Sequence, residues 1–192
     1  MSDVGPQPGS QPVTWARVAR RIRVPLSFLC AGAYIWLAHP SWISLAGGTL
    51  VILPGLLLRA LASGHVQKDR QLTTSGPYAY GRNPLYLGSL IMAAGFAIAA
   101  RSWWIVALML LLFVLIYVPV IAGEERYLRQ TFPEYEDYAR NVPRIVPRLT
   151  PYGVQKGEYS SARYRKHREY QASLGAAIML VVLIAKLIMS AQ

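Results

Sequence analysis

From Val24 to Leu58 the chain runs 35 residues without an Asp, Glu, Lys or Arg. As a single helix that run would extend roughly 52 Å at 1.5 Å per residue, against about 30 Å of bilayer hydrocarbon. It is too long for one membrane span and long enough for two short ones. Pro40, in "AHPSW" (38–42), divides it, because a proline disfavours helical geometry at the residue before it. The expected result is a helical hairpin with spans near 22–38 and 42–62, with Pro54 and Gly55 as kink positions and Arg59 placed to snorkel to the headgroups. Two further uncharged runs, 84–100 and 102–122, hinge on Arg101, and Trp103 and Trp104 fall where an interfacial aromatic belt would lie. A fifth apolar stretch, 172–191, carries Lys186 near its end; an interfacial helix is the alternative there. The fold expected is all-α, a polytopic integral membrane protein of about five transmembrane helices.

Charge sets the orientation. Only 15% of the residues are charged, against about 25% in soluble domains, yet the net charge is +11. Of the 20 basic residues, 18 fall in the arm before the first span, at Arg59, in 63–83 or in 123–171; Arg101 and Lys186 are the exceptions. The positive-inside rule then puts the N-terminus and both polar segments in the cytoplasm and the C-terminus outside, in a cell (inner) membrane. The excess charge therefore reports orientation and not a nucleic-acid partner. One cysteine, Cys30, and three scattered histidines give neither a disulfide framework nor a metal-ligand pattern, so no metal is expected. Residues 1–21, basic and rich in Pro, Gly and Gln, read as a disordered tail ahead of one membrane domain at 22–192. No small-x-small cleavage site ends the first apolar run, so it reads as a retained span.

The chemistry gathers on the predicted cytoplasmic side. "TSGPYAYGRNPLYLG" (74–88) places two tight turns back to back, with Arg82 between tyrosines. Pro84 suits the first position of the third span, whose free backbone N–H groups and positive dipole end would favour an anion. Tyr78, Tyr80 and Tyr86 offer flat faces and hydroxyls; turn chemistry with interfacial aromatics is the plain alternative. Glu124 and Glu125 follow the fourth span directly, where a carboxylate facing lipid would be costly. They either form a solvated helix end with Arg126 and Arg129, or turn one carboxylate into a cavity to meet a cationic group. In 124–149, Tyr127, Leu128, Phe132, Tyr135 and Tyr138 recur at roughly helical spacing, which predicts an amphipathic cytoplasmic segment within 123–171.

In order and spacing, "TSGPYAYGRNPLYLG" and "EERYLRQTFPEYEDYARNVPRIVP" resemble the isoprenylcysteine carboxyl methyltransferase family, which also resembles phospholipid N-methyltransferases. The likeness covers about residues 68–149. It implies an S-adenosylmethionine site at the cytoplasmic membrane face and a lipophilic methyl acceptor. Gln71, Leu72, Thr73 and Tyr78 match the first cofactor segment of the family, and Asn83, Pro84, Leu85 and Tyr86 match the second. Glu124 matches the carboxylate that contacts the cofactor; Glu125 and Arg82 complete the candidate catalytic group. Three positions depart from the pattern: Asn83 stands for His, Pro133 for Gly, and Val120 for a substrate-binding Arg of eukaryotic members. The last puts recognition of a prenylated carboxylate in doubt, which leaves a phospholipid amine as the second acceptor class. A membrane sterol- or enone-type reductase and a non-enzymatic membrane scaffold are the more distant readings.

Overall fold

The computed structural model describes residues 29–66, 71–153 and 157–190. The expected tail at 1–21 and the start of the first span lie outside them. Every regular element among the described residues is helical. The helices are α1 (29–37), α2 (Trp42–His65), α3 (Pro84–Ala100), α4 (Trp103–Thr131), α5 (Tyr135–Asn141), α6 (Ser161–Lys166) and α7 (Tyr170–Ser190); a 3-10 turn, Gly76–Ala79, precedes α3. By length and composition α2, α4 and α7 can each cross a membrane, and α3 is a shorter apolar helix of 17 residues. The chain is a polytopic α-helical membrane protein.

The local signals act where they were read. Ser41 caps α2 through a reciprocal box with Ser44, directly after Pro40. Arg101 ends α3 in the left-handed region, φ 51°, and lets α4 begin two residues later. Pro54 sits inside α2 without ending it. In α4 the ladder slips over Phe113–Tyr117, where the Val118 N–H reaches back five residues to the Phe113 carbonyl. Pro119 follows, and having no N–H it cannot support a regular ladder here. The slip turns Tyr117 against Phe113, stacked at 5.6 Å, and edge-on to Tyr86 of α3 at 5.7 Å.

Glycines set the closest helix pair. Gly48 and Gly55 of α2 oppose Gly95 and Gly88 of α3, and in every case a Cβ would fall within 2.8 Å of the opposing carbonyl oxygen. Hydrocarbon gives no hydrophobic drive to helix association, so tight backbone approach through small residues takes over. At one end, called here the far end, Tyr34, Ala38, Leu45, Ala99, Ala100, Ile105 and Leu183 form the apolar core. There the Lys186 ammonium donates to the Ile35 and Trp36 carbonyls at 2.5 and 3.1 Å, which closes the end of α1. Trp36, Trp42, Trp103 and Trp104 are all exposed around that end, which widens the expected belt from two residues to four.

At the opposite end lie the turns of 74–88, the Glu pair and the polar segments. Arg59 does not reach outward as expected. It forms a two-pronged pair with Glu169 at 2.8–3.1 Å and also donates to Ser89 Oγ and the Leu85 carbonyl. The ionic partner sits 110 residues away in the chain.

Candidate functional site

The apolar part of α4 ends at Ala122, and the charged stretch beyond it projects past the span. Adjacent helix residues point about 100° apart, so Glu124 and Glu125 cannot share an environment. Glu125 is buried, 5% exposed, and Glu124 is exposed. Around Glu125 the fold closes a polar knot. Arg144 pairs with both carboxylate oxygens, Arg82 approaches at 3.8 Å, and Asn83 donates at 3.2 Å. Asn83 also donates to the Arg144 carbonyl, and the Arg82 N–H donates to the Pro143 carbonyl. Burial pushes the Glu125 carboxyl up, but the Arg144 hydrogen bond, the two guanidinium charges and the Asn83 amide outweigh it and hold the carboxyl below its ordinary range. Arg82 also donates to the Tyr135 hydroxyl at 3.4 Å, while its Nε is buried with no partner among the described residues.

A small second core braces the knot. Tyr135, Tyr138 and Val142 are buried against Leu72, Leu128, Phe132, Ala139 and Tyr152, and Tyr138 donates to the Tyr78 carbonyl at 2.7 Å. This is the expected amphipathic segment, with one exception: Tyr127 is about half exposed and off the packed face. Pro133 lies in the turn between α4 and α5.

Glu124 faces the other way. The Tyr78 phenol is buried and its pKa is pushed up, first by burial, then by Tyr138, Glu124, Glu169 and Tyr86. Glu124, Glu169 and Tyr86 thus lie within electrostatic reach of the Tyr78 hydroxyl, and Tyr86 packs edge-on to Tyr117. Glu169 is the member that sequence reading missed. Arg168 before it adopts φ 55°, a left-handed conformation that is strained for a non-glycine residue, and it turns Glu169 toward Arg59.

Gln71, Leu72 and Thr73 line a polar groove of about 880 Å³, closed on its other side by 157–163. That groove includes neither Tyr78, Asn83 nor Glu124. Leu72 links the two regions, since it also packs on the Tyr135 cluster. Pro84 takes the first position of α3, as expected, and Asn83 precedes it with its side chain turned to Glu125 and the Arg144 carbonyl instead of the helix start. The helix start is a poorer anion site than expected, because the Tyr86 and Leu87 N–H groups both bond the Asn83 carbonyl. Pro84 supplies no N–H, which leaves only that of Leu85. Leu85 additionally accepts from Arg59 and Ser89.

Comparison with known proteins bears on this arrangement. A family model described as phospholipid methyltransferase matches residues 59–135, the stretch from Arg59 to Tyr135 that builds most of both regions. Over this part of its length the chain is similar to the phospholipid methyltransferase family. It is 34% identical over 139 residues to the cobalt-zinc-cadmium resistance protein CzcN of Cupriavidus metallidurans, covering 68% of this chain and 63% of that protein. The nickel-cobalt-cadmium resistance protein NccN of Alcaligenes xylosoxydans xylosoxydans is 34% identical over 136 residues, 67% of this chain and 62% of that protein. The protein-S-isoprenylcysteine O-methyltransferase of Schizosaccharomyces pombe is 29% identical over 123 residues, 64% of this chain and 48% of the enzyme. The chain thus spans less than two thirds of the length of these relatives. No solved structure matches the chain significantly.

Proposed function

We propose that the protein is an S-adenosylmethionine-dependent membrane methyltransferase acting on a lipophilic acceptor, in the manner of an isoprenylcysteine carboxyl O-methyltransferase. The observation that carries this reading is the match of 59–135 to a methyltransferase family model, within which Tyr78, Tyr86 and Glu124 lie at the same end of the bundle as a buried ionic knot. The residues suit the cofactor. Glu124 offers an exposed carboxylate to its ammonium and Tyr86 an aromatic face, while Gln71 and Thr73 offer polar groups in the separate groove that Leu72 joins to the Tyr135 cluster. Bound there, the cofactor would supply a methyl group already activated on a sulfonium.

The chain's own work is then positioning and exclusion of water. We assign Glu125, Arg82, Asn83 and Arg144 to positioning, because they hold the start of α3, the end of α4 and the following strap in fixed relation. An acceptor carboxylate would need no base. An acceptor amine would, and Glu125, neutralised by two arginines, and Glu169, paired with Arg59, are poor ones; the exposed Glu124 is the remaining carboxylate there. The phospholipid-amine reading stays as the second, favoured by the family description and by Val120 in place of a substrate-binding cation. We place the site on the cytoplasmic face of the inner membrane, with five spans, on the strength of the 18-to-2 division of basic residues. The test is a cofactor-binding titration with purified protein, followed by mass spectrometry of membrane lipids incubated with isotope-labelled S-adenosylmethionine. Absence of cofactor binding would remove the reading.

A further inference from the structure

Positive charge is not spread evenly over the motif end, the end that carries the turns of 74–88. Residues 124–140 hold five acidic side chains against three arginines, a net charge of −2. Residues 160–168 hold Arg163, Arg165, Lys166 and Arg168 and no acid, a net charge of +4. The rule that one side of a membrane protein collects cations explains the total but not this division. The basic stretch comprises α6 and the turn into α7, and it is tied to the end of α2. The Ser160 N–H and Arg163 Nε both donate to the Gly64 carbonyl, at 3.0 and 2.7 Å, and the His167 ring N–H donates to the Ser63 carbonyl at 3.1 Å. Arg163 is thereby engaged, and Glu169, the acid that follows the cluster, is taken by Arg59. Arg165, Lys166 and Arg168 are exposed, and none of them has an ionic partner among the described residues.

The turn itself adds a second observation. The Arg168 N–H bonds the Arg165 carbonyl and the Glu169 N–H bonds the Tyr164 carbonyl, the paired bonds of a Schellman turn with Arg168 in its left-handed position. Glycine is favoured there, because a side chain strains that backbone. An arginine makes the turn less stable than a glycine would, and its exposed side chain forms no ion pair to offset the strain. We propose that α6 and this turn form a docking site for anionic phospholipid headgroups, with Arg165, Lys166 and Arg168 as its cations. The apolar run of α7 begins at Ala172, four residues after Arg168. That is roughly 6 Å along a helix, inside a Debye length of about 8 Å. Tyr170, half exposed, stands between the cluster and the span, as interfacial aromatics do. Lipid phosphate lies at this depth, and a guanidinium can take two of its oxygens at once. Nucleic acid or an acidic protein would have to reach a patch at the foot of a span, against the headgroups. Residues 157–163 also wall the polar groove, so a headgroup seated on α6 ties that wall to the membrane surface.

The test is native mass spectrometry of the full chain in neutral detergent, titrated with phosphatidylglycerol or with phosphatidylcholine of the same acyl chains. A cation close to an anionic surface is worth about fivefold in affinity. Phosphatidylglycerol should therefore bind roughly tenfold tighter or more, and Arg165→Gln combined with Lys166→Gln should remove most of that preference. Arg168→Gly separates the site from the fold. It should weaken phosphatidylglycerol about fivefold while the thermal midpoint stays level or rises, because glycine relieves the turn. Arg126→Gln combined with Arg140→Gln removes two exposed arginines from the acid-rich stretch and should leave the preference intact. Equal binding of the two lipids by the wild type overturns the proposal, as does a preference that ignores both cluster variants. An equal loss in the Arg126 and Arg140 variant also overturns it, since net charge would then account for the effect. Glycerol 3-phosphate, which carries the charge without the acyl chains, should not displace the lipid; displacement would mean a site for soluble anions and overturn the assignment to lipid.

Discussion

The two ends of the helix bundle are held together by opposite means. At the far end apolar packing and polar groups that bond backbone carbonyls hold the helices, without an ion pair among the described residues: Ala38, Ala99 and Ala100 are fully buried, the Tyr34 hydroxyl bonds the Phe96 carbonyl, the His39 N–H bonds the Ala100 carbonyl, and the Lys186 ammonium bonds the Ile35 and Trp36 carbonyls. At the motif end the ties are ionic, Arg59 with Glu169 and Arg82 and Arg144 with Glu125. Close packing fixes helices without exposing a charge to lipid. Ion pairs fix short, irregular segments that have too little apolar surface to fix themselves. The far end is scaffold; the motif end trades packing for groups that can face a ligand.

The largest effect should come from cutting the knot. Glu125→Gln leaves Arg82 unpaired and poorly exposed, and should cost about 3 kcal/mol of stability, read as a lowered thermal midpoint. The change is predicted to act on folding. Acidification offers a check with a definite sign. The folded carboxyl titrates below its unfolded value, so its stabilisation is complete above about pH 4 and is lost as pH falls through the lower folded value. The gap between wild type and Glu125→Gln should therefore close in acid and stay constant from pH 6 to 8. A gap that widens in acid would mean that the carboxyl is not the ionised partner.

Gly95→Val attacks the other kind of tie. Its side chain would meet the Gly48 carbonyl and Ile52, so a loss of about 2–3 kcal/mol is expected, with no change in cofactor affinity per folded molecule. If instead cofactor binding fell while the melt held, the contrast between scaffold and site would collapse. A smaller free-energy change belongs to Glu124→Gln. A charge-assisted bond to an ammonium is worth on the order of 1.5–3 kcal/mol, so affinity should drop by one to two orders of magnitude with an unchanged melt. Calorimetric titration beside thermal denaturation separates it from Glu125→Gln. The smallest effect is Lys186→Met at the far end. Two carbonyls of α1 lose a donor, for about 1 kcal/mol in the melt and nothing in binding.

Much of this contrast was legible in the chain. The uncharged runs, Pro40, Arg101 and Pro84 place the helix ends correctly, because each acts through its own backbone or through the cost of charge in hydrocarbon. The chain order also shows that one of two adjacent glutamates must turn away from the other. It does not show which one is buried. That choice depends on Arg144, 19 residues on, and on the strap that brings it back to α4.

By itself, then, the sequence determined the helix ends and the division of basic residues, which follow from local geometry and the bilayer as solvent. The tertiary structure alone decided the partners. The glycine seam appears in the sequence only as Gly48, Gly55, Gly88 and Gly95, since which glycines oppose one another depends on how α2 and α3 cross. Arg59 was free to reach headgroups until Glu169 arrived from the far side of the chain, and Glu169 itself gave no signal in its own surroundings. Long-range ion pairs and helix registers carry no local periodicity, because the free energy that selects them belongs to two distant segments at once.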